Sequence, residues 1–314
     1  MPTNKPIWNG WLNCTKPAGM TSHDVVQRVR RILQQKKVGH TGTLDPAARG
    51  VLPICLGQAT RLAEYVQGGR KTYLAEIRFG KETDTYDCEG SVVGIQEAGH
   101  LTLQEIESLL PRFMGDQQQV PPMFSAIKIK GKKLYELGRQ GMVVQRPPRA
   151  IHIDALEPIE WKAGTFPLLK LRVSCSAGTY IRSLAHDLGV AAGTGAHLEC
   201  LIRQRAGEFD LETSWSLDSL ETWVLNHPGP EEEQPWLLPL DWPIRSWPSA
   251  HLDAVQVQNV LHGRQPGGRL HFDRMVQGHR WVRLHHPDGR FLAVAEVCSV
   301  TAETAEVALR KVFP

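Results

Sequence analysis

The first residue of interest is a carboxylate. Asp45 lies in Gly39-His40-Thr41-Gly42-Thr43-Leu44-Asp45-Pro46-Ala47-Ala48-Arg49-Gly50, a stretch of small and polar side chains with little that could fill a core. Residues 51–56, Val-Leu-Pro-Ile-Cys-Leu, follow as an apolar run of strand length. A lone carboxylate on a small-residue loop beside a buried element is well placed for chemistry, because catalytic groups concentrate on loops held by a rigid scaffold. Pro46 biases Asp45 away from the helical region and into an extended or turn conformation. The chemistry open to such a group is that of a base, a nucleophile or a stabiliser of positive charge. It could equally close an Asx-turn on its own backbone. The spacing leaves both readings open.

The elements that must position this loop are short strands and helices in mixed order. Ser22 can N-cap a helix whose apolar positions Val25, Val26, Val29, Ile32 and Leu33 share one face. Residues 73–79 alternate as a half-buried strand does, and residues 168–174 repeat the pattern. Residues 103–112 read as an amphipathic helix, with Thr102 as its cap and Glu105 completing a capping box. Another helix starts near Tyr180, after a turn at Gly178. This order predicts an α+β domain around a mostly antiparallel sheet. Residues 226–240 combine Pro, Gly and an acidic run, the composition of an exposed linker. Beyond them, residues 281–284 and 291–297 read as paired strands joined by a turn at His286-Pro287-Asp288-Gly289, so residues 241–314 form a small β-rich module.

The chain has 314 residues, enough for one large domain and a small one. No apolar run nears the roughly 20 residues needed to cross a membrane, and no signal-peptide pattern opens the chain. Six cysteines are scattered without a CxxC pair, which argues against a disulfide framework or zinc site and for a reducing cytoplasm. Neither a GxGxxG loop, a P-loop nor a metal-ligand cluster is found. Net charge is only +3, but residues 123–149 hold seven cations against Glu136, a local surplus of +6. Cations interleaved with Phe124, Leu134 and Tyr135 suit a phosphate backbone. Gly131, Gly138 and Gly141 would let the segment close as a flap. A second run, Arg28, Arg30, Arg31, Lys36 and Lys37, fits either RNA contact or a solvated helix face.

The loop around Asp45 resembles the signature of the TruB-type tRNA pseudouridine synthases. Further segments match in the same order: Leu12 to Ser22 near the N-terminus, Lys71-Thr72-Tyr73, Thr83-Asp84-Thr85-Tyr86-Asp87, Pro122-Met123-Phe124-Ser125-Ala126, Gly131 to Glu136, and Gly178-Thr179-Tyr180-Ile181-Arg182. The opening departs from the family at Asn13-Cys14-Thr15, where no catalytic role falls. The similarity covers residues 10–215 and is weaker beyond.

The resemblance implies a catalytic domain over residues 1–225 with a curved, mostly antiparallel mixed sheet and a central cleft. It implies a PUA-like barrel after the linker. The implied activity is isomerisation of uridine to pseudouridine at position 55 in the T loop of tRNA, with some help to tRNA folding. No cofactor or metal is implied, and no obligatory protein partner; a cytoplasmic monomer is expected.

By the same resemblance Asp45 is the essential aspartate. It would act as a nucleophile on ribose C1′, as a stabiliser of an oxocarbenium-like ion, or as a base at C2′. Arg182 would hold it ionised, with Asp87 in the same network. Tyr73 would stack on the flipped base and relay the C5 proton, Tyr180 and Leu201 would wall the pocket, and His40 would fill the space the base leaves. Lys16 is placed in the cleft floor or in solvent, and Arg203 and Arg205 at phosphates or in solvent. Two rivals are an RNA-binding chaperone without chemistry, and a base-modifying transferase using a cysteine such as Cys55.

Overall fold

In this computed structural model, residues 7–124, 128–129, 132–133, 144–227, 233–300 and 305–314 are described. The apolar run at 51–56 lies one strand in from the edge of a nine-stranded sheet. We number its strands β1 (Gly10–Lys16), β2 (Val38–His40), β3 (Arg49–Leu56), β4 (Lys71–Phe79), β5 (Gly115–Gln119), β6 (Arg149–Lys162), β7 (Leu168–Cys175), β8 (Ala196–Ala206) and β9 (Phe209–Asp210). Their order is β1-β3-β8-β4-β7-β6-β5, with β2 on β3 and β9 on β8. The pairings are antiparallel except β8 with β3, so the sheet is mixed and mostly antiparallel, as expected.

Helices cover the sheet. They are α1 (Ser22–Ile32), α2 (Ala63–Gln67), α3 (Leu103–Leu109), α4 (Ile181–Ala191) and α5 (Leu217–Asn226). The period-2 alternation of β4 sends Tyr73, Ala75, Ile77 and Phe79 into one core, where they meet Leu169, Leu171 and Val173 of β7 and Ile181, Leu184 and Leu188 of α4. From Val51 onward strand β3 is apolar, and both its faces are buried there. Leu52, Ile54 and Leu56 face α1 and α5, while Val51 and Cys55 face the C-terminal module. Helix α1 begins one residue from the expected place: Thr21, not Ser22, is the cap, and it forms a capping box with Asp24. Ser22 is instead turned inward, onto the Leu44 backbone. The Thr102–Glu105 box is as expected.

The C-terminal module is a four-stranded sheet of β10 (Ser249–His251), β11 (Trp281–His285), β12 (Phe291–Val300) and β13 (Ala305–Val312), with α6 (Ala254–Leu261) beside it. Strands β11 and β12 pair antiparallel across the expected turn.

The region read as an exposed linker needs correction over its second half. Leu238 exchanges two backbone hydrogen bonds with Trp11, and Trp236 is 1 % exposed. Burying such a ring removes about 150–250 Å² of surface, worth several kcal/mol at about 25 cal/mol per Å². That exceeds the roughly 1–2 kcal/mol for fixing one residue. Composition alone hid this, because Pro and Glu dominate the segment while two large apolar side chains anchor it. Residues 228–232 lie outside the described residues. Among the described residues no helix is long and apolar enough to cross a membrane.

Candidate active site

The Asp45 loop is held from three directions. Behind it, the Ser22 hydroxyl accepts from the Leu44 N–H at 2.9 Å and donates to the Leu44 carbonyl at 3.2 Å. Beneath it, Lys16 is wholly buried, and its ammonium donates to the carbonyls of Pro17, Met20 and Pro46 at 2.8, 2.6 and 3.0 Å. Burial drives that amine down to about 8. Lys16 is therefore a buried clamp on the residue after Asp45 and not a solvated cation. On the third side Arg203, 1 % exposed, donates to the carbonyls of Val51 at 2.7 Å and Gly42 at 3.0 Å. Gly42 has φ +85°, a conformation that lets the loop bend beside Arg203.

Asp45 does not cap its own loop. Its Oδ1 accepts from Arg182 Nη2 at 3.1 Å, and its Oδ2 lies 3.0 Å from Arg182 Nε. Arg182 stands in the first turn of α4, where a cation opposes the helix dipole, and two carboxylates offset this. The second is Asp87, whose Oδ2 is 3.3 Å from Nη1. The carbonyls of Thr85 and Phe124 accept the remaining donors. Gln119, at the end of β5, fixes the start of α4 by accepting from the Tyr180 N–H and donating to its carbonyl.

At Asp45 burial outweighs the neighbouring cations. The Asp45 side chain is 40 % exposed through the cleft mouth, yet protein surrounds it elsewhere. Desolvation raises its pKa above the ordinary range; Arg182 opposes that shift, Asp87 adds to it, and Lys16 opposes it more weakly.

These groups border a cavity of about 260 Å³ whose walls include Asp45, Tyr73, Tyr180, Arg182, Leu201 and Arg203. Five of the expected site residues thus come together. Register explains part of it: Arg203 of β8 pairs directly with Tyr73 of β4, and Leu201 with Ala75, which puts Arg203 and Leu201 on one face. Burial raises the Tyr73 phenol more than the neighbouring Arg203 charge pulls it down, so the group is a neutral phenol at ordinary pH.

Asp87, Lys16 and His40 do not line the cavity. Asp87 and Lys16 act on it through Arg182 and the loop. His40 ends β2 two residues before Gly42, which does line it, and its Nδ1 is buried without a hydrogen-bond partner. Burial, with Arg203 and His23, lowers its pKa, so the ring is neutral.

Arg203 departs from its phosphate reading, and one cavity residue, Lys71, was overlooked. Arg203 cannot meet a phosphate while its guanidinium is spent on Val51 and Gly42. Its signal was the parity with Leu201, a charge at an inward strand position. Lys71 also lines the cavity, and its buried ammonium donates to the Gln67 and Gly69 carbonyls at 2.6 and 2.5 Å. Desolvation and Arg203 bring it down to about 8. The motif Lys71-Thr72-Tyr73 contained it, but nothing in its spacing told a structural lysine from a surface one. In the basic run on α1, Arg28 is tied to Asp218 and Glu221 of α5, and Arg30 donates to the Val38 carbonyl. Cys55 is buried and its thiol is pushed up to about 11, which removes it as a nucleophile. Of the 123–149 segment, residues 125–127, 130–131 and 134–143 lie outside the described residues. Arg146 donates to the Pro121 carbonyl at its base.

An α+β chain with a carboxylate–guanidinium pair in a cleft beside a buried tyrosine has relatives among known proteins. Residues 30–181 match the model of the TruB family pseudouridylate synthase N-terminal domain, and residues 182–245 match the tRNA pseudouridylate synthase B C-terminal domain. The chain belongs to the TruB family of pseudouridylate synthases. It is 47 % identical over 261 residues to the tRNA pseudouridine synthase B of Symbiobacterium thermophilum, covering 83 % of this chain and 84 % of that one. With the enzyme of the same name from Pelotomaculum thermopropionicum it shares 45 % identity over 294 residues, 92 % of this chain and 91 % of the other. Among solved structures, a Cbf5-Nop10-Gar1 complex contains a chain that aligns with a TM-score of 0.74 at 27 % identity, over 99 % of this chain and 87 % of that one. An H/ACA RNP bound to a substrate RNA containing 2′-deoxyuridine aligns with 0.73 at 25 %, over 98 % and 86 %.

Proposed function

We propose that this chain isomerises uridine 55 in the T loop of tRNA to pseudouridine, acting on a nucleotide flipped out of the loop into the cavity beside Asp45. The bond from uracil N1 to ribose C1′ breaks, the base turns, C5 joins C1′, and the C5 proton is lost while N1 gains one. Atoms and electrons balance without an oxidant or a leaving group. The observation that carries the reading is the Asp45 carboxylate, open to the cleft on one side and fixed to a buried Arg182 on the other.

Asp45 acts at the sugar, and Arg182 holds it ionised against its desolvation, with Asp87 steadying Arg182. Tyr73 receives the flipped base on its ring and serves as the proton relay from C5. Tyr180 and Leu201 bound the pocket. His40, neutral and with an unpartnered Nδ1, enters the space the base vacates. Lys16 sets the cleft floor. Residues 1–225 form the catalytic domain, with 123–149 as an RNA-gripping flap, and 241–314 a PUA-like module. No cofactor takes part. The enzyme works as a cytoplasmic monomer without an obligatory partner, and it also assists tRNA folding.

Tritium release from C5-labelled uridine in a tRNA transcript tests the activity directly. Wild-type protein should release one tritium per T loop and the Asp45→Asn variant none, with tRNA affinity retained. A protein that only binds and folds tRNA would release none in either form. That result would falsify the enzymatic reading.

A further inference from the structure

Among the described residues, two that are not glycine have a left-handed backbone: Gln34 with φ 50° and Tyr86 with φ 65°. Gln34 follows the end of α1, where a left-handed residue is an ordinary way to stop a helix. Tyr86 closes the turn in which its N–H donates to the Thr83 carbonyl at 3.2 Å, a left-handed place that glycine or asparagine usually fills and a large aromatic seldom does. A bulky residue in this region costs free energy that glycine would not, and such outliers gather where surrounding structure imposes them.

What surrounds Tyr86 is the support of Arg182. On one side the Thr85 carbonyl accepts from Arg182 Nη1 at 3.3 Å; on the other, Asp87 Oδ2 lies 3.3 Å from the same nitrogen. The left-handed bend turns both neighbours toward one guanidinium nitrogen. Asp87 is then locked in place: Oδ1 accepts from the Thr85 hydroxyl at 2.6 Å and its carbonyl from the Thr83 hydroxyl at 2.7 Å. The Tyr86 carbonyl accepts from the Leu198 N–H at 3.0 Å, which ties the bend to β8.

The side chain secures the bend. The Tyr86 ring lies flat on the imidazole of His186, with centroids 4.0 Å apart and planes 11° from parallel. His186 is four residues after Arg182 on α4, hence on the same helix face. Its Nδ1 is buried without a hydrogen-bond partner, so the imidazole meets this loop through its face. One stack therefore joins the loop that cradles Arg182 to the helix that carries it.

We infer that Tyr86 is a positioning residue, whose left-handed backbone, fixed by its stack on His186, sets the angle at which Arg182 is presented to Asp45. This rests on the proposed role of Asp45 but makes a demand of its own on the free protein. Loosening the stack must weaken the hold of Arg182 on Asp45. The charged groups acting on that carboxyl are Arg182 from α4, Asp87 from the Tyr86 loop and Lys16 from β1.

The test is titration of the Asp45 carboxyl carbon by NMR in aspartate-labelled protein without RNA, with Asp45→Asn supplying the assignment. In Tyr86→Ala the midpoint should rise relative to wild type; in Tyr86→Phe, which keeps the stack, it should stay. Tyr86→Ala should also lower kcat between about tenfold and a hundredfold while KM for tRNA stays within about threefold. Adding His186→Ala to Tyr86→Ala should cost little more, because the pair acts as a unit. An Asp45 midpoint unmoved in a folded Tyr86→Ala protein would overturn the inference. Wild-type protein inert toward tRNA would sink the proposed function alone, since the titration needs no turnover.

Discussion

Arg182 and Arg203 stand in the wall of the same cleft, 4 % and 1 % exposed, and they are employed in opposite ways. Arg182 meets two carboxylates, one open to the cavity and one buried behind it. Arg203 spends its guanidinium on the carbonyls of Gly42 in the Asp45 loop and Val51 in β3. Lys16 and Lys71 follow Arg203, donating to carbonyls. One side of the cleft therefore fixes a charge, and the other fixes backbone with charge. Buried cations held on carbonyls keep their field largely unscreened, which suits a pocket that must admit a polyanion.

The largest effect should come from the charge itself. Asp45→Asn should lower turnover by at least roughly ten-thousand-fold, measured by tritium release, while leaving tRNA affinity within about threefold. Its stability should follow a specific pH dependence. Burial raises the folded-state pKa of Asp45 above the unfolded value, so its contribution to stability is complete below the ordinary carboxylate range. That contribution is lost as pH rises through the folded value. At neutral pH the substitution should thus leave the melting temperature equal or higher, and the difference should vanish in acid. A large loss of melting temperature at pH 7 would mean that the pair holds the fold together, and the two sides of the cleft would not differ as described.

Next comes Arg182. Arg182→Met should cost about 3–5 kcal/mol in urea unfolding, because Asp87 at 10 % exposure is left buried without its partner. Arg182→Lys should keep more stability but lose the planar fork, and the acid limb of kcat should move to higher pH in this variant. The sign follows from which form works: ionised Asp45 is required, its folded pKa already lies above the ordinary range, and a weaker cation raises it further. Arg203→Met gives the contrast. It should cost about 1–3 kcal/mol, by leaving loop carbonyls unsatisfied, and it should lower kcat without moving that limb. Arg203 is not among the groups acting on Asp45. Equal shifts in both variants would erase the distinction.

How much of this was readable from the chain depends on the kind of signal. The alternation of residues 73–79 and the apolar periodicity after Thr21 are local, and both gave their elements almost to the residue. Asp45 and Arg182 were readable through their motifs. Their contact spans 137 positions, and nothing in spacing could have placed one against the other. The buried cations were the blind spot. A lysine or arginine is almost never fully buried unless paired, so solvent stayed open for both Lys16 and Arg203 in the sequence; the register of β8 and β4 puts Arg203 inside, and three backbone carbonyls hold Lys16 in the cleft floor. The Ser22 cap failed for a similar reason. Thr21 and Ser22 both suit an N-cap, and the choice was made by Leu44, a residue twenty-two positions away.

The smallest expected effect bears on the basic run of α1, where sequence allowed either RNA contact or a solvated face. Arg28 donates to Asp218 at 2.6 Å and to Glu221 at 2.8 Å, both on α5 and both exposed. A guanidinium so paired has its charge locally neutralised and adds little to the field that a phosphate would feel. Exposed pairs of this kind contribute about 0–1 kcal/mol. Arg28→Ala should therefore shift the urea midpoint only within that limit. The slope of log affinity for tRNA against log salt should stay as in wild type. Removal of a true phosphate contact would reduce that slope by about one. A reduced slope would show that Arg28 leaves α5 for RNA on binding.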